Sequence, residues 1–166
     1  MFEHNIGPFF GEKSNILILG SFPSVKSREE NFYYANKQNR FWKVLAQVFK
    51  DQVPESESEK KDFLTAHRIA LWDVIASCEI LGSSDASIKD VKASDVSLIL
   101  EKAPIERIVL NGKKAAQLFY RNQGRALPLR NCKTQVIEVY ELPSTSPANA
   151  TFSLDALIAH WSIISK

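Results

Sequence analysis

The chain has 166 residues, 45% of them hydrophobic and 24% charged, with a net charge of +2; that length holds one domain with a real core and excludes two of ordinary size. No apolar run approaches the ~18 residues that a membrane helix requires, so a soluble single domain over 1–166 is expected. Residues 1–50 carry seven Lys/Arg against four Asp/Glu, 51–110 seven against twelve, and 111–151 six against two; this fits a protein that offers phosphates one face, and equally a solvated surface with random clustering.

Ile16–Gly20 is a continuous apolar run rich in branched residues, which predicts a strand buried on both faces, ending in the loop Gly20-Ser21-Phe22-Pro23-Ser24. Residues 25–39 are polar and aromatic without clean periodicity. Phe41, Trp42, Val44, Leu45, Val48 and Phe49 then recur at helical spacing and predict a helix over about 40–50. Pro54 and the Glu/Ser/Lys stretch 55–61 read as a solvated connection, and Phe63–His67 as the end of a short helix. Ile69–Ala76 is apolar again, as a strand or an extended crossing segment. Residues 82–87 are loop-like, and Ser94 or Asp95 can cap a helix running to Lys102, which Pro104 closes.

Arg107–Leu110 predicts a second buried strand, followed by Asn111-Gly112 and a helix from Lys113 to about Arg121. Gln135–Tyr140 alternates as a third strand should, ends in Leu142-Pro143-Ser144-Thr145-Ser146-Pro147, and precedes a last helix over about 152–164. Strands alternating with helices imply an α/β fold: a three-layer α/β/α sandwich with a short, mostly parallel central sheet. Ligands of such folds bind outside the carboxyl ends of the strands, so the loops at 20–39, 111–114 and 142–149 are expected at one rim.

Cys78 and Cys132 lie far apart and form no C-x-x-C pair, which speaks against zinc, iron–sulfur and a disulfide framework; both are expected to be buried thiols. His4, His67 and His160 are equally scattered, and no His-x-Glu precedes a C-x-x-C pair, so no metal and no other cofactor is expected. A G-x-G-x-x-G or P-loop string is absent as well, which weakens a reading as a free-nucleotide binder. The start, Met-Phe-Glu-His-Asn, has neither the basic end nor the apolar stretch of a secretory signal, so the cytoplasm is the expected location.

Gly20-Ser21-Phe22-Pro23-Ser24, followed by the run from Tyr33-Tyr34 to Asn39-Arg40-Phe41-Trp42, resembles the first motif block of the mismatch-specific uracil/thymine glycosylases and, more closely, of the hypoxanthine-DNA glycosylases, both in the uracil-DNA glycosylase superfamily. Leu71-Trp72-Asp73-Val74, Leu110-Asn111-Gly112-Lys113 and Leu142 to Ala150 follow in the family's order, so the resemblance spans about 15–164. It implies a DNA glycosylase that flips a deaminated base from DNA and hydrolyses its glycosidic bond; no lysine stands where a Schiff-base nucleophile is suggested, so monofunctional hydrolysis without a cofactor is expected, with a monomer as the default. Hypoxanthine is the base the resemblance favours. A uracil/thymine mismatch glycosylase and a DNA-binding relative without chemistry are the alternatives.

The resemblance also implies roles for residues. In the wider superfamily an Asn or Asp just after the first strand's glycine holds the attacking water, but Phe22 stands there and can hold none. The hypoxanthine branch has an Asn two residues before its Phe-Trp pair, which assigns the water to Asn39; the same residue reads as an N-cap of the helix that follows. Tyr34 matches an aromatic that stacks on the flipped base, with core packing beside Phe32 and Tyr33 as its alternative, and Phe22 is grouped with it as base-binding. Asn111 is placed to read a base edge, or to make a turn with Gly112.

Ser24, Ser27, Ser144, Thr145 and Ser146 sit in proline-containing loops that resemble the superfamily's phosphate grips, with Lys113 and Arg40 as candidate backbone contacts; a solvated surface is the alternative for all of them. Pro147, Ala148 and Asn149 occupy the place of the wedge that fills the hole left by the flipped nucleotide. Leu142 stands where the uracil-specific enzymes carry a histidine for the departing anion, which fits a purine substrate better than uracil. Trp72-Asp73 reads as architecture, with Trp72 packed and Asp73 bonded to nearby backbone, and a supporting catalytic role for Asp73 is the alternative.

Overall fold

The computed structural model describes residues 2–3, 6–30, 32–79, 89–123 and 127–165. In chain order these form β1 (Phe2–Glu3), β2 (Ile16–Gly20), α1 (Val25–Glu30), α2 (Phe41–Val48), α3 (Glu57–Ala66), β3 (Ile69–Asp73) and β4 (Ile75–Glu79). Then follow β5 (Lys89–Ala93), α4 (Ser97–Leu100), β6 (Arg107–Asn111), α5 (Lys113–Gln123), β7 (Glu138–Leu142), α6 (Leu154–Trp161) and a 3-10 turn, Ser162–Ser165. The predicted loop 82–87 lies outside the described residues, as does His4. Among the described residues, no helix is long and apolar enough to cross a membrane.

β2, β3, β6 and β7 make one all-parallel sheet in the order β3-β2-β6-β7. The fold is α/β with a parallel central sheet, as the alternation of elements predicts. Every residue of β2 and β3 is buried, because a parallel sheet covered by crossover helices has no solvent face. Each buried isoleucine or leucine among them contributes roughly 1.5–3 kcal/mol relative to exposure. The chain winds from β2 outward to β3, then back past β2 to β6 and β7. Right-handed crossovers therefore place the connecting helices on opposite faces, and the direction reverses between β2 and β6. α3 packs on β3, α5 on β6 and β7, and α2 against α6.

Several elements differ from expectation. The stretch 55–61 is not a connection: it is the start of α3, whose N-cap Ser56 and Glu59 form a reciprocal capping box. The unperiodic stretch after Ser24 contains α1, too short to show a helical repeat. The apolar run 69–76 splits at Val74 into β3 and β4, and β4 joins β1 and β5 in a small antiparallel sheet that no local pattern announces. The third predicted strand is β7 at 138–142, since Val136 belongs instead to an isolated bridge with Arg130. α4 spans only Ser97–Leu100, and the last helix ends at Trp161 before tightening into the 3-10 turn. Cys132 is exposed rather than buried.

Candidate active site

Gly20, Asp73, Asn111 and Leu142 are the last residues of the four parallel strands, with Gly20 in register with Asp73 and Asn111 with Leu142. A cavity of about 580 Å³ opens over this edge, at the point where the winding reverses. That is within the ~300–1,000 Å³ range of small-molecule pockets. Phe22, Ser24, Ser27, Tyr34, Asn39, Asn111, Ser144, Thr145, Ser146, Pro147 and Ala148 all line it, so loops that the sequence separates by a hundred residues meet. Lys113 and Asn149 do not line it.

Tyr34 is held from several sides. Its backbone has a φ of +51°, a left-handed conformation costly for a residue with a side chain. Trp42 Nε1 donates to the Tyr34 carbonyl at 3.1 Å, and Ser27 Oγ accepts from the next N–H, that of Ala35, at 3.0 Å. The Tyr34 ring stacks on that of Phe41, with centroids 3.7 Å apart and planes 12° from parallel, and Asn111 Nδ2 donates to its hydroxyl at 3.2 Å. Burial, then the nearby Asp73 carboxylate, pushes the Tyr34 phenol up, against a smaller opposing effect of the Asn111 bond. Tyr33 is raised in the same way by burial and by Asp73, and its hydroxyl donates to the Gly7 carbonyl at 2.8 Å.

Thr145 is fully buried and joins the two asparagines. Its hydroxyl donates to Asn39 Oδ1 at 2.8 Å and accepts from Asn111 Nδ2 at 3.1 Å, while its N–H donates to Asn111 Oδ1 at 3.1 Å. Both donors of Thr145 are therefore spent inside the protein, which corrects its assignment as a phosphate contact. Asn111 likewise gives its two amide hydrogens to Tyr34 and Thr145, leaving one acceptor lone pair for any base edge. Asn39 Oδ1 also accepts the Phe41 N–H at 3.0 Å, an Asx turn just before α2; the N-cap itself is Arg40, so Asn39 precedes the cap rather than being it, and its amide plane is fixed by two bonds.

Ser24 and Ser27 serve the local backbone. Ser24 Oγ accepts the Ser27 N–H at 3.1 Å and caps α1, and it donates to Ser27 Oγ, which is itself 2% exposed. Ser144 Oγ accepts the Ser146 N–H and Ser146 Oγ the Ala148 N–H, and neither hydroxyl donates to another described residue. Arg40 is a strut rather than a surface contact. Its guanidinium donates to the carbonyls of Ser146 and Asn149, each at 3.1 Å, and to that of Phe152, while its N–H donates to the Thr145 carbonyl. Trp161 Nε1 anchors the start of the same loop at the Pro143 carbonyl, 2.9 Å away.

Asn149 ties the loop together, donating its amide to the Ser144 carbonyl, and Pro147 and Ala148 are left exposed on the rim. Lys113 is exposed at the start of α5. Gly112, with φ +100°, brings that helix against Ser144, whose Cβ would lie 2.9 Å from any added Cβ. The Arg28 guanidinium lies over the Phe22 ring at 5.4 Å.

The sequence reads Asp73 as architecture with a supporting catalytic role as the alternative, and the structure puts it in the lining of the cavity at 4% exposure. Asn36 and Tyr33 line it as well. The usable signal for Asp73 was its place at the carboxyl end of an apolar run, where strand-end polar residues of α/β sheets face ligands.

A parallel sheet whose switch point carries a pocket of amides, hydroxyls and rings defines a class of α/β ligand-binding domains, and sequence comparison names the family. The model of the uracil DNA glycosylase superfamily matches residues 8–162, and the chain belongs to that superfamily. It is 34% identical over 155 residues to the hypoxanthine DNA glycosylase of Methanosarcina acetivorans, covering 92% of each chain. It is 31% identical over 119 residues to the hypoxanthine DNA glycosylase of Methanosarcina barkeri, covering 70% of this chain and 75% of that one. A Methanosarcina acetivorans protein whose name assigns it to the uracil DNA glycosylases, solved by solution NMR, superposes with a TM-score of 0.81 at 30% identity, covering 99% of this chain and 97% of the other.

Proposed function

We propose that this protein is a monofunctional DNA glycosylase that excises hypoxanthine from double-stranded DNA. The observation that carries the reading is Asn39, whose amide is fixed by Thr145 and the Phe41 N–H at the wall of a cavity lined by aromatic rings. The kinship with hypoxanthine DNA glycosylases supports it.

In this reading the extruded base enters the cavity and packs against Tyr34 and Phe22. Asn39 holds the water. With two bonds already on Oδ1 it meets that water through Nδ2, and an amide takes no proton, so its contribution is orientation. The water oxygen bonds to C1′ as the C1′–N9 bond breaks. The electron pair goes to the purine, which leaves with a proton taken up on the ring, and the water proton passes to solvent. Ser144, Ser146 and Lys113 contact the DNA backbone, and Pro147 and Ala148 fill the vacated stack.

Labelled duplexes carrying one hypoxanthine, uracil, xanthine or thymine mismatch test this, with alkali to cleave abasic sites. Hypoxanthine release that falls by roughly 10²–10³-fold in Asn39→Ala supports both substrate and water-holder, by analogy with removal of other preorganised polar groups. Uracil release that survives the substitution moves the water elsewhere. No release from any duplex favours a DNA-binding relative without chemistry.

A further inference from the structure

We propose that Trp42 is a positioning residue: its indole N–H holds the Tyr34 backbone in the left-handed conformation that presents the Tyr34 ring to the cavity. This rests on the glycosylase reading above, in which that ring meets the extruded base. Lys50, Arg68 and Thr134 also have left-handed backbone, and all three are exposed. Tyr34 is the one of the four that lines the cavity. A residue with a side chain is strained in this conformation, which persists only where its surroundings over-determine it.

Here the surroundings clamp one peptide group. The Tyr34 carbonyl accepts from Trp42 Nε1 at 3.1 Å, and the Ala35 N–H, in the same peptide plane, donates to Ser27 Oγ at 3.0 Å. Because a peptide is planar, bonding both of its polar ends fixes its orientation, and with it the rotation about the Tyr34 Cα–C bond. The ring is held separately, by its stack on Phe41 and by Asn111 Nδ2 at the hydroxyl. Phe41 and Trp42 are the first two residues of α2, and their rings meet edge to face with centroids 5.0 Å apart. The first turn of one helix thus grips Tyr34 by ring and by backbone, and Asn39 stands two residues before it. The stacked base and the attacking water are therefore both placed from the start of α2, which keeps C1′ within reach of that water.

Packing does not account for the indole N–H. Trp42 is 6% exposed, with Phe32 stacked on its ring and Phe63 at its edge, contacts of a kind that a phenyl ring makes as well. A buried indole N–H needs an acceptor, and the acceptor here is the carbonyl of the strained residue. The strain of a left-handed residue and the loss of one buried hydrogen bond are of the same order. Losing the bond therefore frees Tyr34 to relax toward an ordinary conformation, which takes its ring off Phe41 and out of its place in the cavity.

The test is a double-mutant cycle on single-turnover release of hypoxanthine from a duplex at saturating enzyme, with Trp42→Phe, Tyr34→Leu and the two combined. Tyr34→Leu removes the ring, and release is expected to fall by roughly 10–100-fold. Trp42→Phe is expected to slow release by about tenfold with Tyr34 present and by less than about twofold in the Tyr34→Leu background, where no ring is left to place. Equal slowing in both backgrounds makes Trp42 a packing residue and overturns the proposal while leaving the glycosylase reading intact; an unchanged rate in Trp42→Phe alone does the same. Ser27→Ala loosens the other end of the same peptide group and leaves the indole in its slot. It is expected to slow release by about threefold, again only with Tyr34 present, and it decides the matter if Trp42→Phe does not fold. An unchanged rate in Tyr34→Leu removes the ring's contact with the base, and no release by the unaltered protein fails the glycosylase reading itself; this inference falls with either.

Discussion

In segment 20–27, where the loop after β2 runs into α1, Ser24 bonds Ser27 three residues on and Ser27 bonds Ala35 eight residues on, so the hydroxyls close the segment on its own neighbourhood. In the 143–149 loop, Thr145 reaches Asn111 across 34 residues and Asn39 across 106, and Arg40 holds the carbonyls from the other side. The two look alike as serine-proline strings. One is a folded turn that shapes a wall of the cavity; the other is a hub that links the proposed water-holder, a strand-end amide and the exposed rim at Pro147 and Ala148.

Variants can break this contrast. Arg40→Ala removes a guanidinium bonded to three carbonyls and is expected to cost about 3 kcal/mol in denaturant unfolding, with weaker duplex binding as the rim loosens. Unchanged stability would mean that the loop holds itself. Thr145→Val keeps the shape and deletes the hydroxyl, leaving Asn39 held by the Phe41 N–H alone. Hypoxanthine release at saturating enzyme is expected to fall by roughly 10–100-fold, with about 1–2 kcal/mol of lost stability; a wild-type rate would detach Asn39 from this network. Ser24→Ala, at the cap of α1, has the smallest effect, a loss of about 1 kcal/mol of stability with duplex affinity unchanged. Duplex binding weakened by about fivefold or more in that variant, at unchanged fold, would return Ser24 to the phosphate grip and erase the difference between the loops.

The two buried strands β2 and β6 were legible because a strand covered on both faces is an unbroken apolar run, and their ends pointed to the rim where the cavity lies. α3 was half missed although Ser56 and Glu59 stand at capping-box spacing, since its first turns are polar and carry no apolar stripe. The antiparallel β1-β4-β5 sheet left no trace, because pairing between distant segments has no local period. Asn39 and Tyr34 were found through family resemblance, and both line the cavity. Asp73 reads first as architecture because its place at a strand's carboxyl end points to the rim without saying which groups surround it there.

By itself, then, the sequence determined the fold class, the end of the sheet at which the polar loops gather and the residue types available there. The tertiary structure alone decided which of those groups are already spent. Thr145 and Arg40 turned from prospective DNA contacts into internal bonds, and Asp73 turned from architecture into part of the cavity. The reason is that periodicity records burial, a property of neighbours along the chain. A hydrogen bond such as Asn39 to Thr145 depends on two loops that meet only after four strands have paired.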